Sequence, residues 1–172
     1  MTVNRCLACA AAALALAGCA AQPQPPAAPA RPAFYVDLGE GGARLDVADA
    51  LATINLYRAR HGLAPLRADP QLQALADAAA AAMAARDAPA SAGALRRTLA
   101  ARGVAAPMVS MSAGYRTMAE AFSGWRDSPV HDAAMRNPAA TRAGVAAASA
   151  RPGSKHRVYW TLITAGDGGG AR

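Results

Sequence analysis

The sequence predicts an α+β domain in which helices sandwich a small sheet. Three observations point there. Apolar residues recur at helical spacing over most of residues 47–102 and again over 117–128, strand-like segments gather later in the chain, and helix and strand never alternate as regular βαβ units. The 172 residues suit one domain. Aromatic residues make up only 5% and alanine is abundant, so the core is expected to rest on close approach of helices and sheet rather than on large rings.

The chain opens with a short basic start, Met1-Thr2-Val3-Asn4-Arg5, followed by an uncharged apolar run over residues 6–17 that is too short to span a bilayer. Leu16-Ala17-Gly18-Cys19 then reads as a bacterial lipobox. Small residues at Ala17 and Gly18 fit a peptidase groove, and the Cys19 thiol is the nucleophile that takes the diacylglycerol. Residues 1–18 are therefore expected to be a lipoprotein signal peptide, with Cys19 the lipid-attachment residue and two or three acyl chains such as palmitate anchoring the mature chain. Each buried methylene contributes ~0.8 kcal/mol. Cys6 and Cys9 lie inside the segment to be removed, so no internal disulfide or thiolate metal site is expected. Residues 19–33, rich in Pro and Ala, read as a tether.

The domain is expected to cover residues 34–166. Phe34-Tyr35-Val36 forms a first short strand or packs against the domain, with a loop over residues 39–42. Residues 47–61 carry Val47, Leu51, Ile54 and Tyr57/Arg58 at helical spacing, between Asp46 as N-cap and Gly62 placed for the C-cap. Asp69-Pro70 opens a second helix that runs to near Arg86, and its alanine face permits close packing. A third, over residues 92–102, stops at Gly103. Residues 108–112 alternate as a half-buried strand would. After the turn at Gly114-Tyr115-Arg116, Thr117-Met118-Ala119-Glu120 has capping-box form and opens a helix with Phe122 and Trp125 that ends at Pro129. Residues 131–136 add a further helical turn. Residues 143–149 and 156–164 read as paired strands joined through Arg151-Pro152-Gly153-Ser154, and residues 167–172 as a disordered Gly-rich tail.

Several of these residues, taken in order, resemble a known family. Asn55-Leu56-Tyr57-Arg58, Gly62-Leu63-Ala64-Pro65-Leu66 and Asp69 with Leu72 and Ala76 are similar to the opening of the bacterial branch of the CAP superfamily (cysteine-rich secretory, antigen 5 and pathogenesis-related proteins, also called SCP-like). Trp125-x-x-Ser128-Pro129-x-His131, Asn137-Pro138, Gly144-Val145 and Tyr159-Trp160-Thr161-Leu162 resemble its second half. The resemblance spans about residues 45–165 and implies a three-layer α-β-α sandwich. It also implies a cleft with two histidines and one or two glutamates able to hold a divalent metal. Only His131 fits that set. No histidine stands in residues 86–94, the family glutamate aligns with Val109 and Ser110, and a further one corresponds to Ser128. Zinc needs three or four protein ligands, so no tight metal site and no cofactor are expected.

The cleft candidates are thus His131, Glu120, Ser110 and Ser128; His131 either is a surface or helix-cap histidine with no ligand or hydrogen-bonds within the cleft to Ser110, Ser112 or Glu120. Glu120 is also explained by its capping-box spacing. Asn55 and Arg58 share a helical face and are expected to tie the first helix to a loop, Trp125 and Trp160 to be core, His61 to end a helix and His156 to sit in a strand. Ser128 lies near His131, Asp127 and Asp132, but no nucleophile elbow or Gly-rich oxyanion loop accompanies them, which argues against a serine hydrolase. The net charge of +7 is scattered, without the clustered patch and interleaved aromatics that nucleic acid requires. The expected protein is a non-catalytic lipoprotein of the bacterial envelope, facing the periplasm or exterior, in the outer membrane if the cell is Gram-negative. Its degenerate CAP-like domain would bind a lipid, glycan or protein or serve a structural role. The alternatives are a degenerate metal-dependent or serine hydrolase and a secreted lipid carrier.

Overall fold

The computed structural model describes residues 32–40 and 42–167. The expected signal peptide, Cys19, the tether up to residue 31 and the tail from residue 168 lie outside the described residues. Five helices and four strands follow in the order α1 (Val47–Arg60), β1 (Arg67–Ala68), α2 (Pro70–Arg86), α3 (Ala92–Ala101), β2 (Met108–Ala113), α4 (Met118–Arg126), α5 (Pro129–Met135), β3 (Arg142–Ser149) and β4 (Val158–Ala165). The fold is α+β with three layers.

Side chains that accept from their own first turns start most helices. Asp46 accepts from Asp49 N, Asp69 from Gln71 N and Leu72 N, Ser91 from Ala94 N, and Thr117 from Glu120 N. Each satisfies backbone donors that an α-helix leaves unpaired. Gly62 and Gly103 follow α1 and α3 with positive φ.

The sheet has the order β1-β3-β4-β2, with β1 parallel to β3 and the other pairs antiparallel. β4 is central and buried along its whole length. Its period of two divides the core. Trp160 and Leu162 face a cluster with Leu51 and Ile54 of α1, Met118 and Trp125 of α4 and Met135 of α5. Ile163 and Ala165 face Leu72, Ala76 and Ala80 of α2 and Leu99 of α3. At Gly144 of β3, an added Cβ would run into the backbone of Leu72 and Gln73, so the absence of a side chain is what lets α2 lie directly on the strand.

Two local expectations change, one open alternative is decided, and one strand was not foreseen. Residues Ala33–Tyr35 form a 3-10 turn rather than a strand, because Tyr35 N and Val36 N close onto Pro32 O and Ala33 O. Phe34 meets Phe122 edge-on, with centroids 6.4 Å apart, which keeps the segment against the domain. Pro129 does more than end a helix: it occupies the first turn of α5, where a missing N–H costs nothing, so His131 lies within a helix. His156 precedes β4, since Asp87 accepts from the backbone of Lys155 and His156 and holds them in the loop. β1, with only two residues, carried no sequence signal.

Candidate functional site

The side chains of Ser110 and Ser112 share the face of β2 that meets α4 and α5, because Ser110 stands opposite Leu162 and Ser112 opposite Trp160. Ser110 Oγ lies 2.7 Å from His131 Nδ1. Trp125 Nε1 donates to Ser112 Oγ at 2.9 Å, and the two tryptophans, both fully buried, meet edge-on at 5.8 Å. These contacts pin α4 and α5 to the sheet.

The other two cleft candidates lie apart from this pair. Glu120 is exposed, and its carboxylate accepts from Arg116 N at 2.6 Å while its own N–H donates to Thr117 Oγ1. It closes the start of α4. Ser128 is the N-cap of α5 and makes no side-chain capping bond.

Nucleophilic chemistry needs an accessible hydroxyl and a base oriented by a third group. Ser110 is 1% exposed. The nearest acid in sequence to His131, Asp132, accepts from Tyr57 Oη at 2.9 Å and pairs with Arg136 at 2.8 Å. His131 is half-buried, and burial lowers its pKa from the usual 6.5, favouring the neutral imidazole. As to the metal that the resemblance implies, the donor set does not fit. Among the described residues no three His, Cys, Asp or Glu side chains gather as ligands, and a neutral hydroxyl stands against the one imidazole.

The profile of the family described as "CAP: Cysteine-rich secretory protein family" matches residues 51–164. The chain belongs to the CAP family. Two solved structures share the CAP fold with it. A cysteine-rich secretory protein from Staphylococcus aureus is 17% identical with a TM-score of 0.52, over 71% of this chain and 40% of that one. An extracellular protein containing a SCP domain from Bacillus anthracis is 20% identical with a TM-score of 0.58, over 70% and 40%. The chain thus spans about 40% of the length of each. No curated protein matches it.

Two helical residues of this CAP domain hold its loops. Asn55 brackets Leu66, accepting from its N–H at 2.8 Å and donating to its carbonyl at 3.0 Å. Arg58, fully buried, donates to the carbonyls of Ala64, Met135, Asn137 and Ala140. It ties α1 to its own following loop, as expected, and also to the α5–β3 connection.

A second feature escaped sequence reasoning. Between α1 and α4 lies a groove of about 170 Å³ lined by Thr53, Leu56, Tyr57, Arg60, Phe122 and Arg126. Leu56 is 70% exposed. Tyr57 and Phe122 meet edge-on at 5.6 Å, and the Arg126 guanidinium lies 5.4 Å from the Phe122 ring centre. Neither Arg60 nor Arg126 forms an ion pair among the described residues. The signal was present as two i, i+4 pairs, Leu56/Arg60 and Phe122/Arg126, each apolar residue one turn before an arginine. Only the packing of α1 beside α4 makes them one surface.

Proposed function

We propose that this CAP domain is a non-catalytic binding module, held at the bacterial envelope through lipid on Cys19, whose α1/α4 groove receives an anionic amphiphile. The observation that carries the reading is the groove itself: an exposed leucine and two aromatic rings beside two arginines that form no ion pair among the described residues. An acyl segment lies against Leu56, Tyr57 and Phe122, and its carboxylate or phosphate head meets Arg60 and Arg126. Apolar burial supplies about 25 cal/mol per Å² and the guanidinium forks select the anionic head.

The non-catalytic part of the reading draws support from the burial of Ser110 and from the engagement of Asp132 elsewhere. The envelope part draws support from the Leu16-Ala17-Gly18-Cys19 motif and from the descriptions of the two related structures as secretory and extracellular proteins. Among the described residues no helix is long and apolar enough to cross a membrane.

Titration with a long-chain fatty acid tests the groove. Micromolar binding, about 8 kcal/mol, is expected for the unaltered chain. Metabolic labelling with a fatty-acid analogue tests the anchor: the unaltered chain should be marked and Cys19→Ser should not. Labelling that persists in Cys19→Ser would put the lipid on another residue, and an unlabelled unaltered chain would leave a secreted carrier.

A further inference from the structure

The two edges of the sheet are finished differently. On the β3 side, β1 pairs with Arg142 and Ala143, and a side chain then continues the cover. Val145 N donates to Gln73 Oε1 at 3.1 Å, and Gln73 Nε2 donates to Val145 O at 2.9 Å, so one amide stands in for a strand residue. The β2 side has no such cover among the described residues. The bond from Gly114 N to Val158 O sets the phase of the β2–β4 ladder, so Ser110 and Ser112 point their backbone groups at β4. Those of Met111 and Ala113, both partly exposed, turn outward without a hydrogen-bond partner among the described residues, whereas Val109, on the same side, is buried beneath Leu99. β2 is also unprotected by sequence: over six residues, MVSMSA, it carries no charge, no proline and no break in register.

We propose that this edge is a docking site for an extended acidic polypeptide segment, which joins the sheet as a fifth strand beside β2. The outward amides and carbonyls are complementary to another extended backbone. The sign of the partner comes from α3, which packs on β2 through Leu99 and Val109. Arg96, Arg97 and the C-cap Arg102 are exposed on that helix, α3 contains no acid, and none of the three forms an ion pair among the described residues. A second copy of the chain is the poorer occupant, since it would set the same arginines and a net charge of +7 against themselves.

Hydrogen exchange on the purified chain tests this, with a blocked peptide of alternating Glu and Val as probe. Without peptide, the amides of Met111 and Ala113 should exchange at least about tenfold faster than those of Ser110 and Ser112. Saturating peptide should slow them by at least about tenfold. Met111→Pro deletes an outward donor while sparing the ladder to β4, and should abolish the protection. On the unaltered chain, a peptide N-methylated at alternate positions should also fail to protect. Slow exchange of these two amides without peptide would overturn the proposal, either as a covered edge or, where it grows with protein concentration, as a second copy. Equal protection by a Lys/Val peptide, or none by the Glu/Val peptide, would overturn it too.

Discussion

Arg58 shows how one residue can organise distant segments. Its guanidinium is buried, forms no ion pair among the described residues, and is compensated by four backbone carbonyls, from the loop after α1 and from the end of α5 and its connection to β3. Lysine cannot reproduce that fork. Arg58→Lys and Arg58→Met should each cost at least about 3 kcal/mol of stability in chemical denaturation, because they leave buried carbonyls unpaired. His131 gives a second prediction, in pH. Burial lowers its folded-state pKa below the usual 6.5, so as pH falls the unfolded chain takes up this proton first. Its contribution to stability is therefore intact above about pH 7 and declines as pH drops through 6.5 toward the folded-state value. Melting temperatures followed from neutral pH into this range should fall more steeply for the unaltered chain than for His131→Asn. Parallel slopes would mean that His131 does not titrate differently on folding.

Among the elements, the contact between α2 and β3 is the most exacting. α2 is a low-profile helix of alanines, and it reaches the sheet because Gly144 offers no Cβ beneath Leu72 and Gln73. Gly144→Ala should cost about 3 kcal/mol, as overpacking against backbone does, whereas Ala148→Gly in the same strand should cost about 1 kcal/mol. Thermal unfolding of the two variants measures the difference. The helices themselves were legible: Asp46, Asp69 and Thr117 are caps in the sequence and caps in the fold. Local chemistry decides such boundaries. It does not decide whether Pro129 ends one helix or begins the next, since its fixed φ and missing N–H serve both, and the packing of Ala134 and Met135 into the core settles it. β1 was illegible for a related reason, because two residues become a strand only when Thr141 and Ala143 arrive beside them.

At the scale of the molecule, the three layers followed from helical and strand periodicity together with the family resemblance, and the apolar clusters on both faces of β4 bear them out. The sites were less legible. For His131 the sequence left open a cap or surface position and a bond to Ser110, Ser112 or Glu120; Ser110 was a candidate because the family glutamate aligns there, and the structure brings the two side chains together. The α1/α4 groove was not foreseen: Leu56 and Phe122 are ordinary helical residues until two helices far apart in sequence expose them together. On the proposed reading, ligand binds in this groove rather than at the Ser110–His131 pair. Fatty-acid titration of three chains separates the two. Micromolar affinity is expected for the unaltered chain and for His131→Ala, and at least about tenfold weaker binding for Leu56→Glu, a loss of about 1.4 kcal/mol. Affinity that survives Leu56→Glu but disappears in His131→Ala would contradict it.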